Sequence, residues 1–134
     1  MVKQAGFVAV LVLLPALAMA QDKGKGAPKE ECPTFDLAEQ EQLLTKAPSC
    51  DRAMQLFEIC QRGSGGDVQL GEAVIKKCEG VFLDKLPKAE RASYDRKSKA
   101  CWKKHAKESG TMYRSFEAFC AASLAQTYAR RAKR

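Results

Sequence analysis

Residues 49–78 read SCDRAMQLFEICQRGSGGDVQLGEAVIKKC, two helical patterns on either side of a glycine break. Ser49 is a good helix cap, since its hydroxyl can accept an unpaired first-turn N–H. After it, Ala53, Leu56, Phe57 and Cys60 recur at helical spacing, which predicts a helix to about Arg62. Gly63-Ser64-Gly65-Gly66 stops it. Asp67 is placed to cap a third helix carrying Val74, Ile75, Cys78, Val81, Phe82 and Leu86 as a broad apolar stripe. Two antiparallel helices bring together residues equally far from their turn. Cys50 lies fourteen residues before Ser64 and Cys78 fourteen after it. The pair is therefore level, within reach of the ~7 Å Cα separation that a disulfide tolerates.

The same reading extends in both directions. Upstream, Thr34 to about Ala47 forms a first helix, with Thr34 as its cap, Asp36 in its first turn and Pro48 as its stop. Downstream, Pro87 suits the start of a fourth helix, where a missing N–H costs nothing. That helix is expected to run to about Glu108, with Tyr94, Cys101, Trp102 and His105 along its buried side. Gly110 separates it from a fifth helix, opened by Thr111, on which Met112, Phe116, Phe119, Cys120, Leu124 and Tyr128 are expected to face inward. Cys101 lies nine residues before Gly110 and Cys120 ten after, a second level pair. Cys32 and Cys60 remain, on either side of Pro48. The rival pair Cys50–Cys60 fails within one helix, because ten residues at 1.5 Å rise hold them roughly 15 Å apart. The expected pairs are thus Cys32–Cys60, Cys50–Cys78 and Cys101–Cys120. The fold class is all-α: a small disulfide-stapled bundle of about five helices arranged as antiparallel hairpins.

The beginning of the chain explains the cysteines. Lys3 is followed by an apolar run from Phe7 to Leu17 and by Ala18-Met19-Ala20, the small residues that a signal peptidase inspects. Residues 1–20 read as a signal peptide cut before Gln21. The apolar run is too short to span a membrane, which takes about 20 residues, and no second one follows. Residues 21–31, rich in Lys, Gly, Asp and Glu, read as a flexible leader. Residues 32–134 form the domain. An exported protein of this size commonly supplements a modest core with disulfides, so the chain is expected to be periplasmic or secreted.

The protein carries a formal charge of +7, unevenly spread. Residues 21–86 hold nine bases and twelve acids, whereas residues 87–134 hold thirteen bases and four acids. Arg96, Lys97, Lys103, Lys104, Lys107, Arg130 and Arg131 are the candidate surface for an anionic partner, because such a field attracts anions at long range. Nucleic acid is not expected, since these bases are not interleaved with stacking aromatics on an exported chain. Catalysis is not expected either. The chain has one histidine, His105, four residues after Cys101. A thiol nucleophile or a metal corner there requires a free Cys101, and the expected pairing removes it. There is no Gly-rich phosphate loop with its lysine, and no cofactor is implied.

From Ser49 onward the chain resembles the exported LprI-like lysozyme-inhibitor family. The likeness rests on Cys50 to Cys60, which encloses Ala53 and Glu58, on the basic-aromatic stretch Arg96 to His105 around Trp102, and on Cys120 ahead of Arg130-Arg131. The stretch Leu70 to Phe82 departs from that family's pattern. The resemblance implies a helical, non-catalytic protein and, as one function, inhibition of a cell-wall hydrolase. The function expected first is binding of an anionic envelope component through the basic half; the inhibition that the resemblance implies is the alternative.

Overall fold

The computed structural model describes residues 29–134; the expected signal peptide, and all of the expected leader except residues 29–31, lie outside that range. Five helices follow one another: α1 (Leu37–Lys46), α2 (Cys50–Cys60), α3 (Gly66–Phe82), α4 (Lys88–Lys103) and α5 (Thr111–Arg131), with a short 3₁₀ turn at Leu83–Lys85. No strand is present among the described residues.

Three contacts set the helix directions. Asp67 meets Ser115, Gly71 meets Ala118 and Phe82 meets Tyr128, so α3 and α5 run side by side in the same direction. Leu37 lies against Gly66, and Lys77 donates to the Thr45 carbonyl at 3.0 Å, which aligns α1 with α3 as well. α2 and α4 run the opposite way. The consecutive pairs α1–α2, α2–α3 and α4–α5 are thus antiparallel hairpins, while the most extensive pairing, α3 with α5, joins helices that are not neighbours in sequence. Leu44, Phe57, Leu70, Val74 and Phe82 are buried between them.

Three disulfides link these helices: Cys32–Cys60 with Cα atoms 4.9 Å apart, Cys50–Cys78 at 4.7 Å and Cys101–Cys120 at 5.5 Å. They are the pairs expected from the mirror spacing. The first two hold α2 at both ends, Cys60 to the segment before α1 and Cys50 to α3. The third ties α4 to α5.

Local chemistry departs from expectation at several points. Asp36, not Thr34, caps α1, accepting the Glu39 N–H at 2.9 Å. Thr34 is one turn too early and instead accepts the Asp36 N–H. Ser49 caps α2 as expected, through the Arg52 N–H at 3.1 Å. Asp67 does not cap α3. It lies inside the helix, 2% exposed, and its carboxylate reaches back to accept the N–H groups of Arg62, Gly63 and Ser64 and the Ser115 hydroxyl. It ties the α2–α3 turn, in which Gly63 has φ +70°, to the start of α5.

α4 ends at Lys103 rather than near Glu108. The buried Glu117 of α5 takes the His105 N–H at 2.9 Å, holding the chain in turns from Lys104. The other Glu117 oxygen is charge-paired with Arg114 at 2.8 Å, without the alignment of a hydrogen bond. Trp102 is half-buried against the core rather than enclosed. On α5 the buried face is Ser115, Glu117, Ala118, Ala121, Ala122, Ala125, Tyr128 and Ala129, whereas Met112 and Phe116 are about half exposed, at 49% and 50%. The cause is on α3. A Cβ at Gly71 would stand 2.9 Å from the Ala118 Cβ, so α3 approaches α5 more closely than large side chains allow.

Candidate functional site

The seven basic residues expected to form the anionic-partner surface divide into three groups. Arg96, Lys103, Lys104 and Lys107 are exposed on α4 and on the turns after it, and none enters an ion pair among the described residues. They form the free cationic face. α4 can carry so many bases because Tyr94 and Cys101 are its only fully buried side chains.

Lys97 and Arg131 belong to a second group, converging on Tyr128. The Lys97 ammonium lies 5.7 Å from the centre of the Tyr128 ring and donates to its hydroxyl at 3.5 Å, while the Arg131 guanidinium lies 5.5 Å from the same ring. Cations are held over aromatic faces by the ring quadrupole. Arg130, one residue away, faces elsewhere. Its Nε donates to Asp51 of α2 at 2.6 Å, with Lys133 at 3.9 Å from the other carboxylate oxygen. The Arg130 hydrogen bond is the main cause that holds the Asp51 carboxyl below the usual range. Arg130 is thus a neutralised strut between α2 and α5, and the expected anionic-partner surface loses it.

Beside Tyr128 the ends of α3, α4 and α5 leave a cleft of about 450 Å³. Its floor is Phe82, Leu86 and Tyr128. Phe82, Tyr94 and Tyr128 form a cluster with ring centres 5.0–5.6 Å apart, so that floor is rigid. The Tyr94 hydroxyl donates to Glu79 at 2.8 Å; burial, reinforced by that carboxylate, keeps the phenol protonated far above its ordinary range. At the mouth stand Lys85 and Arg131, opposed by Glu90 with Ser93 beside it. Lys85 was missed in sequence because it precedes α4 and falls in the acidic half; the 3₁₀ turn before Pro87 brings it to the C-terminus of α5. The signal was a lysine between Leu83 and Leu86 just ahead of a helix-starting proline.

His105 packs against Tyr113 and Phe116 with ring centres 5.4 and 6.1 Å away. Cys101 is in a disulfide, so the pair supplies neither a nucleophile nor a thiolate ligand. No three His, Cys, Asp or Glu side chains among the described residues come together as a metal site, and no described helix is long and apolar enough to cross a membrane. Three disulfides are the pattern of a chain that matures outside the reducing cytoplasm.

No family model, curated protein or solved structure matches this chain.

Proposed function

We propose that this is an exported, non-catalytic binding protein that engages an anionic component of the cell envelope through α4 and the end of α5. The observation that carries the reading is the free state of the cations: Arg96, Lys97, Lys103, Lys104, Lys107 and Arg131 have no carboxylate partner among the described residues. Three acids that could have met them are engaged elsewhere. Asp51 holds Arg130, Asp67 holds a turn, and Glu117 holds the segment after α4. A field left unpaired on one face steers an oppositely charged partner to that face.

The test is a titration of wild type and of a variant with Lys97, Lys103, Lys104 and Lys107 changed to Glu. The ligands are anionic vesicles, acidic glycans and a panel of lysozymes. None of the four side chains is buried, so the variant should fold. Wild type should bind an anionic ligand, and the variant should lose at least tenfold in affinity, about 1.4 kcal/mol. Equal binding by both reduces the basic face to a solvated surface. Inhibition of a lysozyme by wild type that ignores every simple anion replaces this reading with the hydrolase-inhibitor one.

A further inference from the structure

We propose that the cleft between the ends of α3, α4 and α5 binds one amphiphilic anion: a carboxylate or phosphate head on a single medium-length apolar tail. The proposal deepens the anionic-partner reading and rests on it, since it names the chemistry that the basic half would recognise.

Two independent features of the cleft point the same way. The base is apolar and pre-formed, with Leu86 and Pro87 lining it over the nearly buried Phe82 and Tyr128 rings. At about 450 Å³ it falls in the ~300–1,000 Å³ range typical of small-molecule sites. Lys85 and Arg131 stand at its mouth, and neither is in an ion pair among the described residues. The Arg131 guanidinium is already oriented by the Tyr128 ring, so less freedom is lost when it meets an anion. α4 opens at the same mouth without a capping side chain, so its first-turn N–H groups have no side-chain partner.

Glu90 is the opposing charge on the rim. It sets a selectivity. A head bridging Lys85 and Arg131 must stay clear of Glu90, which favours a compact single head over a polyanion. An apolar tail meets Leu86 and Pro87, where a bare inorganic ion has nothing to bury. An uncharged alcohol of equal length fills the floor but leaves both cations without a partner.

Calorimetric titration of the intact oxidised protein tests this. The probes are decanoate, decyl phosphate, decanol and inorganic phosphate. Decanoate or decyl phosphate should bind saturably, one per chain, and the tighter of the two identifies the head group. Decanol and inorganic phosphate should bind at least tenfold more weakly. Changing Lys85 and Arg131 to Gln should weaken the decyl anion roughly tenfold. Ser93→Trp and Ala132→Trp, each at the wall of the cleft, should abolish binding while the melting temperature holds. The proposal is overturned if neither decyl anion binds, if decanol matches them, or if both Trp variants bind as wild type. The two readings fail separately. Vesicle binding without decyl-anion binding removes the cleft ligand and leaves the basic face. Decyl-anion binding by a protein that ignores vesicles, glycans and lysozymes removes the extended surface and leaves the cleft.

Discussion

Gly71 and Gly80 are both helical glycines of α3, and their surroundings predict opposite outcomes for the same substitution. Alanine in a helix interior is normally favoured over glycine by about 1 kcal/mol. At Gly80 nothing lies within 4 Å of an added Cβ, so Gly80→Ala should stabilise by roughly that amount. At Gly71 the added Cβ meets the Ala118 Cβ at 2.9 Å and its backbone oxygen at 3.3 Å. Gly71→Ala should therefore destabilise, with a cost of roughly 1–3 kcal/mol for overpacking a close contact. Urea unfolding of both variants checks this, and a stabilised Gly71→Ala would show that α3 and α5 lie farther apart. The contact also marks a limit of sequence reading. Large apolar residues on α5 invite an inward assignment, yet a glycine two helices earlier, on α3, turns the alanine face inward. Nothing local to Met112 or Phe116 announces that.

At the scale of elements, two attachments of the last hairpin are separately testable. α4 packs chiefly against α5 and is tied to it by Cys101–Cys120. Replacing both cysteines by alanine should cost roughly 2–4 kcal/mol. Hydrogen exchange should speed up first in α4, while α2, held at both ends by the other two bridges, keeps its protection. Uniform acceleration along the chain would mean that α4 does not open as a unit. The second attachment, Arg130 to Asp51, is pH-dependent. Its largest cause, the Arg130 hydrogen bond, depresses the Asp51 carboxyl in the folded state. A depressed acid stabilises above its unfolded value and loses that contribution as pH falls through the folded one. The end of α5 should thus stay docked on α2 from neutral pH down to the ordinary carboxylate range, and loosen only below it. Asp51→Asn should remove that acid step with a small loss of stability, since the pair is partly exposed. Amide exchange at Gln126 to Arg131 across acidic pH reads the step.

For the whole molecule, the cysteines were the most legible feature, because helical rise converts spacing into height and equal heights about a turn can meet. Ser49 was legible as a cap; Asp36 was not, because Thr34 offers a rival cap two residues earlier, and neither was Asp67, whose carboxylate serves another segment. The basic face was legible as composition, but its division was not. Arg130 and Arg131 are adjacent in sequence and point to different helices, one bound to Asp51 and the other to Tyr128. Lys85 enters only because α3, the 3₁₀ turn and α5 end at the same place. The proposed recognition is therefore concentrated at the α4 face and the cleft mouth, away from α1 and α2. Residue-resolved amide chemical-shift mapping of the oxidised protein titrated with an anionic ligand that it binds tests that placement most directly. Perturbations should cluster on Arg96, Lys97, Lys103 to Lys107, Lys85 and Arg131, and fade as salt is raised through the range where the screening length falls below about 8 Å. Perturbations centred on α1 and α2, or unchanged by salt, would contradict it.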